Sequence, residues 1–257
     1  MQKHSFAHHK VLEDVRRMLF LRRYCMKYKH VFSSLSKFEW GLWSLSSLAV
    51  ILSHFLSPNG DVLSLIASLI GAAALIFVAK GHVIGQLLTV VFAICYGIIS
   101  YHFRYYGEMI TYLCMSLPMA VLAVISWMKH PYRDTEEVEV STLSPRKVIF
   151  LSIAAVCVTV AFYFILGALN TANPLVSTIS ITTSFVAASF TYLRSPYYAL
   201  AYAANDIVLI VLWVMAAIEE PSYFSMVMCF VMFFVNDIYG FVNWKRMKKR
   251  QEENPCE

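Results

Sequence analysis

The chain has 257 residues, 59% apolar and 14% charged, with a net charge of +5 and a mean hydropathy of +0.61. Soluble globular domains carry roughly 25% charged residues, so this composition excludes a soluble enzyme and puts the chain in a bilayer. The length suits about eight spans of ~20 residues and leaves little for a separate soluble domain.

The first 38 residues read as a basic cytoplasmic segment. Within them KVLEDVRRMLFLRRYCMKYKHVF (Lys10 to Phe32) interleaves Lys and Arg with Leu, Met, Phe and Tyr, a pattern suited to the inner membrane surface. It lacks the long apolar region and cleavage site of a removed signal peptide. Apolar runs follow near Trp40 to Leu56, Val62 to Ala79, Val83 to Phe103, Met109 to Met128, Val148 to Leu169, Leu175 to Leu193, Tyr197 to Ile218 and Tyr223 to Trp244. They are read as helices 1 to 8, an all-α transmembrane domain over 39–245, with a basic tail over 246–257. Helix-stop chemistry separates them: SPNGD (Ser57 to Asp61), KGH (Lys80 to His82), YYGE (Tyr105 to Glu108), NTANP (Asn170 to Pro174), RSP (Arg194 to Pro196) and EEP (Glu219 to Pro221). The prolines of the last three fit the first turn of a helix. His54, near the end of helix 1, reads as an interfacial side chain without a role.

Lys and Arg fix the orientation. Nine precede helix 1, five follow helix 8, and Lys80, Lys129, Arg133, Arg146, Lys147 and Arg194 fall in alternate loops. Eight spans put these twenty on one face and leave Arg104 on the other. The positive-inside rule then places both termini in the cytoplasm. The positive charge is therefore topology, with no implication of nucleic-acid binding. Cys25, Cys95, Cys114, Cys157, Cys229 and Cys256 form no CxxC pair and no Cys/His ligand spacing, so neither a disulfide framework nor a metal or cofactor site is expected.

A shift of 117 residues lays ISWMK (Ile125 to Lys129) on VNWKR (Val242 to Arg246), and YGEM (Tyr106 to Met109) on YFSM (Tyr223 to Met226). Helices 3 and 4 thus match helices 7 and 8. With helices 2 and 6 the chain becomes two triplets joined by helix 5. One linking span makes the triplets run in the same direction, a parallel repeat of the kind transporters use, with the site between the halves.

Polar residues recur at one depth. Asn236 lies roughly 12 Å above Trp244 on helix 8, and Asn205 lies roughly 12 Å above the start of helix 7. Asn236, Tyr239, Gly240 and Asn243 fall at i, i+3, i+4 and i+7, with Asp237 beside them. On helix 7 Tyr198, Tyr202 and Asn205 repeat the pattern, with Asp206 beside them. Gln86 and Thr89 stand one turn apart on helix 3. Each such group costs about 2.5 kcal/mol or more in the bilayer unless it faces a partner or a wet path. Interhelical hydrogen bonding accounts for any one of them; the set together predicts a small-molecule pocket with apolar walls and aromatic faces. Pro118 is expected to free a carbonyl and kink helix 4, as a static bend or a hinge. Glu108 caps that helix favourably with respect to its dipole, with a gating role as the alternative.

VNDIYGFVNWKRM (Val235 to Met247), with YGEM and the Pro118 helix, resembles the PnuC family of bacterial vitamin transporters, best known for nicotinamide riboside. The resemblance runs from about helix 2 to the carboxyl-terminal basic cluster. It implies a three-plus-one-plus-three architecture related to the SWEET sugar transporters, here with an additional helix 1, in the bacterial plasma membrane. It also implies facilitated diffusion, with the vitamin trapped inside through phosphorylation by a cytoplasmic kinase; a homo-oligomer is compatible with the fold. The family's helix 7 motif has Trp, Trp and Asn or Asp at spacings of three and four. The matching residues here are Tyr198, Ala201 and Asn205, so the amide is retained and both indoles are replaced. Tyr202, one position on, is expected to supply part of the lost aromatic surface.

Nicotinamide riboside and thiamine are both cations on a flat ring, and Asp206 or Asp237 with tyrosine faces suits either. A neutral nucleoside or riboflavin needs no carboxylate. No HExxH, Walker A or GxSxG motif is present. The rival classes are an intramembrane enzyme using Asp206 and Asp237 as a dyad, and a ligand-sensing receptor; a dyad requires carboxyls close enough to share a proton or a water.

Overall fold

The structure, a computed structural model of the 257-residue chain, describes residues 34–56, 62–102, 106–133, 135–171, 173–221 and 224–253. The basic segment before Ser34, the SPNGD break, Arg104 and the last four residues of the tail lie outside the described residues. The chain divides into two compact units, Met1–Trp40 and Gly41–Glu257. In the first, the Ser36 N–H donates to Glu39 Oε2 at 2.6 Å and the Glu39 N–H to Ser36 Oγ at 3.2 Å. This reciprocal pair is a capping box and sets the start of the first helix.

Eight helices follow among the described residues: α1 (Lys37–Leu56), α2 (Val62–Ala79), α3 (Val83–His102), α4, α5 (Pro145–Ala168), α6 (Pro174–Tyr192), α7 (Tyr198–Glu219) and α8 (Phe224–Glu253). Helix α4 is made of three consecutive pieces, α-helical Tyr106–Ile110, a π-helical turn Thr111–Ser116, and α-helical Leu117–Lys129. All but α1 contain a segment long and apolar enough to cross a membrane. Helix α1, twenty residues long, is less apolar than the other seven. Ser44, Ser46, Ser47, Ser53 and His54 dilute its hydropathy, and its faces segregate: Ser46 and Ser53 are buried while Leu45, Leu48, Leu52 and Phe55 are exposed.

The π turn is the structural answer to Pro118. A proline in a helix removes one N–H and clashes with the carbonyl four residues back; a wider turn immediately before it absorbs both, and π bulges recur at functional sites. The irregularity expected at Pro118 therefore takes the form of a wider turn just before it.

Neighbour relations define a closed ring. Helix α2 packs on α3 and α8, α3 on α4, α4 on α6, α6 on α7, and α7 on α8, while α5 packs on α6 from outside. Most of the apolar surface of α5, including Phe150, Ile153, Val156 and Phe164, is exposed, as a lipid-facing helix requires. The ring order is unchanged when α2, α3 and α4 are exchanged with α6, α7 and α8. The tryptophans that the 117-residue shift aligns, Trp127 on α4 and Trp244 on α8, are both fully buried, with ring centroids 5.3 Å apart. Their indole N–H groups cross between triplets: Trp127 Nε1 donates to the Thr191 carbonyl at the end of α6, and Trp244 Nε1 to the Val78 carbonyl at the end of α2, each at 2.9 Å.

The α4–α5 connector ties this same end together. The Val138 N–H donates to the Gly81 carbonyl in the α2–α3 turn, and the Ser141 N–H to the Arg194 carbonyl after α6. Gln251 on α8 accepts from the Val140 N–H at 2.8 Å and donates to the Val138 carbonyl at 3.1 Å. Arg250 pairs with Glu137. The basic loops predicted to share a face do meet at one end of the bundle. Gly81 turns the chain there with φ +71°, a conformation suited to glycine.

Helices α2 and α3 approach so closely that a Cβ at Gly85 would stand 2.4 Å from the Val78 nitrogen, a backbone atom that cannot turn aside. Gly85→Ala should cost about 1–3 kcal/mol through overpacking, lowering the unfolding temperature of the purified protein by roughly 3–10 °C. Gly41→Ala, with nothing within 4 Å of the added carbon, should leave it unchanged. Thermal unfolding of both variants in detergent checks the contrast.

Candidate functional site

Inside the six-helix ring lies a cavity with about 100 Å³ of room for the centres of water-sized molecules. Every ring helix contributes to its wall. Helices α2 and α3 supply mostly small and apolar surface with Gln86 and Thr89; the π turn of α4 supplies Tyr112 and Ser116; α6 supplies Ser184 and Thr191; α7 supplies Tyr198, Tyr202, Asn205 and Asp206; α8 supplies Phe230, Phe233 and Asp237.

Of the ten pocket residues read from the sequence, seven line this cavity: Gln86, Thr89, Tyr198, Tyr202, Asn205, Asp206 and Asp237. The Thr89 hydroxyl donates back to the Gly85 carbonyl at 2.9 Å. Tyr198 lies edge-on to Trp244, with centroids 4.8 Å apart, and to Tyr202 at 6.4 Å. Its hydroxyl oxygen would be 3.0 Å from a Cβ at Gly240, so the missing side chain at Gly240 admits the ring. Asn205 is held by α6: its Oδ1 accepts from the hydroxyls of Thr183 at 2.7 Å and Ser184 at 3.0 Å. With the acceptor end of the amide so occupied, its donor end is left for groups other than the α6 hydroxyls. Asp206 on α7 and Asp237 on α8 are both buried in this wall, on two helices that pack on each other.

The other three, all on the expected helix 8 stripe, are not in the wall. Asn236 donates to Ser46 Oγ on α1 at 2.9 Å and to the Met232 carbonyl at 2.7 Å, and Asn243 donates to the Ala79 carbonyl at the end of α2 at 2.8 Å. Tyr239 is half-buried outside the lining. These amides tie helices together, and the polar edge of α8 that reaches the cavity is Asp237, one residue off the stripe. Glu108, buried in the first turn of α4, and Pro118 are likewise outside the wall. Ala201 is also absent from it, whereas Tyr202 is present.

Sequence reasoning missed Tyr112, Phe92, Phe233 and the α6 hydroxyls. Tyr112 stacks on Tyr96 at 4.2 Å and meets Phe92 edge-on at 6.2 Å; Phe92 in turn meets Phe233 at 5.7 Å. The aromatic wall is therefore shared between halves instead of resting on α7. The run of Ser177, Thr178, Ser180, Thr182, Thr183 and Ser184 in one span was the available signal for α6. In chemical terms the cavity offers flat aromatic faces, amide and hydroxyl groups, and one carboxyl pair. Among the described residues no cluster of His, Cys, Asp and Glu suits a metal ion.

The family described as nicotinamide mononucleotide transporter matches residues 61–246, most of the chain and all of the ring but the final turns of α8. The chain belongs to that family. Among relatives of this nicotinamide mononucleotide transporter family, a protein of Neisseria mucosa called nicotinamide riboside transporter PnuC is 26% identical over 227 residues, 86% of this chain and 86% of its own. A protein of the same name from Haemophilus influenzae is 23% identical over 209 residues, 80% of this chain and 89% of its own. The crystal structure of the vitamin B3 transporter PnuC superimposes with a TM-score of 0.75 at 25% identity, covering 88% of this chain and 98% of that one. The chain is thus a multi-pass membrane transporter protein by family, with the all-helical fold of that structure.

The divided roles of the amides make a prediction. Gln86→Leu, on the cavity wall, should weaken ligand binding by about 1–3 kcal/mol, the cost of one lost hydrogen bond to a buried group, with the unfolding temperature little changed. Asn236→Leu should do the reverse, lowering thermal stability while ligand affinity stays within a factor of two or so. Calorimetric binding and thermal unfolding on the same preparations separate the two.

Proposed function

We propose that the chain carries nicotinamide riboside across the bacterial plasma membrane by facilitated diffusion, and that a cytoplasmic kinase traps it by phosphorylation. The names of the two relatives support the substrate. The observation that carries the reading is the cavity at the centre of the ring, where flat aromatic faces, amides and a carboxyl pair converge from both triplets. Those are the groups a pyridinium ring with a carboxamide and a ribose would use.

The reciprocal Trp127 and Trp244 contacts support a parallel repeat, with alternating access arising as one triplet rocks against the other around the fixed cavity. The gathering of basic loops at one end supports a cytoplasmic location for that end and for the carboxyl terminus. The amino terminus shares that side if α1 crosses as an eighth span. In this reading the protein performs no covalent chemistry on its ligand; Asp206 and Asp237 hold it. Thiamine is the second reading, favoured by Tyr198 and Ala201 at the positions where the family has two tryptophans.

Liposomes containing the purified protein and no ion gradient should take up labelled nicotinamide riboside until inside and outside concentrations match, and then stop. The uptake should be saturable and competed by unlabelled ligand. Accumulation beyond the outside concentration, abolished by a protonophore, would show coupling to protons and contradict facilitated diffusion.

A further inference from the structure

The first helices of the two triplets end in the same way. Gly81 after α2 and Arg194 after α6 both have left-handed backbone, with φ +71° and +57°. At each, the N–H of the left-handed residue donates to the carbonyl three residues back, Val78 or Thr191, and the next N–H donates to the carbonyl five back, Phe77 or Phe190. These are matching Schellman caps. The Val78 and Thr191 carbonyls also accept the indole N–H groups of Trp244 and Trp127, and both residues line the cavity. The caps are therefore equivalent points of the two triplets, about one helical turn beyond the cavity wall.

One short stretch of chain fastens both caps. In the α4–α5 connector the Val138 N–H donates to the Gly81 carbonyl at 3.0 Å, and the Ser141 N–H donates to the Arg194 carbonyl at 2.9 Å. Val138 is bonded on both sides: its N–H holds the turn of the first triplet, and its carbonyl accepts from Gln251 on α8 of the second at 3.1 Å. Gln251 is buried and uses both ends of its amide on the connector, its Oε1 accepting from the Val140 N–H at 2.8 Å. Two ion pairs add to this, Arg194 with Glu139 and Arg250 with Glu137. The Glu139 and Arg250 side chains are more than half exposed, and ion pairs at the surface are worth little. Losing the Gln251 amide, by contrast, leaves two backbone groups without that partner.

We infer that residues 136–141 are a strap across the two triplets, with Gln251 as its clasp, and that the clasp lets go when the cavity opens toward the basic end. The inference rests on the reading, proposed above, that one triplet rocks against the other. When the triplets part at this end the Gly81 turn moves away from α8, so one of the two bonds at Val138 must break. The bond to Gln251 is the one a side chain controls. Weakening it favours opening at the basic end and gives no advantage to opening at the other.

The test reads which side of the membrane reaches the cavity. Ala188→Cys puts a thiol on the α6 wall of the cavity. Lys249→Cys, made separately at a side chain 79% exposed, marks the side on which the basic end lies. Labelling of the full chain by a membrane-impermeant maleimide is timed in intact spheroplasts and in inverted vesicles, above the rate of the native cysteines. With Gln251→Leu added, Ala188→Cys should label roughly fivefold faster or more from the basic side, and no faster from the other. A side chain that only held the fold together would lower the unfolding temperature and change both sides alike. Equal changes on the two sides, no change on either, or a gain on the far side alone would each overturn the inference. Should Gln251→Leu fail to assemble, Val140→Pro removes the N–H that Gln251 accepts, leaves α8 untouched, and is read for the same difference between sides. Nicotinamide riboside that fails to slow labelling from either side would sink the proposed ligand site, while the comparison without ligand still decides the strap.

Discussion

A polar group inside a bilayer has no water to turn to and must find its partner within the protein. Much of this bundle is arranged by that requirement. Trp127 and Trp244 each reach a carbonyl at the end of a helix in the other triplet, Asn243 reaches the last carbonyl of α2, Asn236 reaches a serine of α1, and Asn205 collects the hydroxyls of α6. Each contact joins two helices that lipid alone gives no reason to associate, because acyl chains are as apolar as the helix surfaces. Among the cavity-lining side chains, Asp206 is the one left with a buried oxygen unpartnered. The same constraint that holds the ring together thus isolates the atom most in need of a ligand.

The ring also explains why the cavity is where it is. Six helices whose neighbour order repeats after three leave a central space that neither triplet can fill alone. The paired tryptophans meet between the triplets, and the α4–α5 connector and α8 are bound together through Gln251 and Arg250. Helix α5 stands outside, joining the triplets with little side-chain commitment of its own. A carrier that must expose one site to two sides in turn needs this division, with a strongly packed seam at one end and softer, aromatic-lined surfaces around the ligand.

Much of this was legible in the amino-acid sequence. Apolar runs bounded by Gly, Pro and Asn gave all eight helices, most ends within about three residues, because a bilayer permits few other ways to satisfy the backbone; α8 continues to Glu253, past the apolar run that ends at Trp244. The 117-residue match located the tryptophan pair, though not that the two indoles meet. The candidate site was legible only in part. Helical periodicity states which residues share a face but says nothing of which neighbour that face meets, so the Asn236, Tyr239 and Asn243 stripe was assigned to a cavity when two of its amides serve as interhelical ties. Tyr112 was hidden because a π turn shifts the register that a 3.6-residue period assumes. Helix α1 was read as the first of the eight helices, and a twenty-residue helix stands there, with Ser46 on its buried face accepting from Asn236 of α8.

The most direct test of the central claim, that the ring encloses the ligand site, is an experimental structure of the protein with nicotinamide riboside bound. The expected density is a flat ring against the aromatic wall near Tyr112 and Tyr202, with its charged edge toward Asp206. Well-ordered ligand density elsewhere, on the outer face of α5 or between α1 and α8, with the central cavity holding only water, would contradict the account.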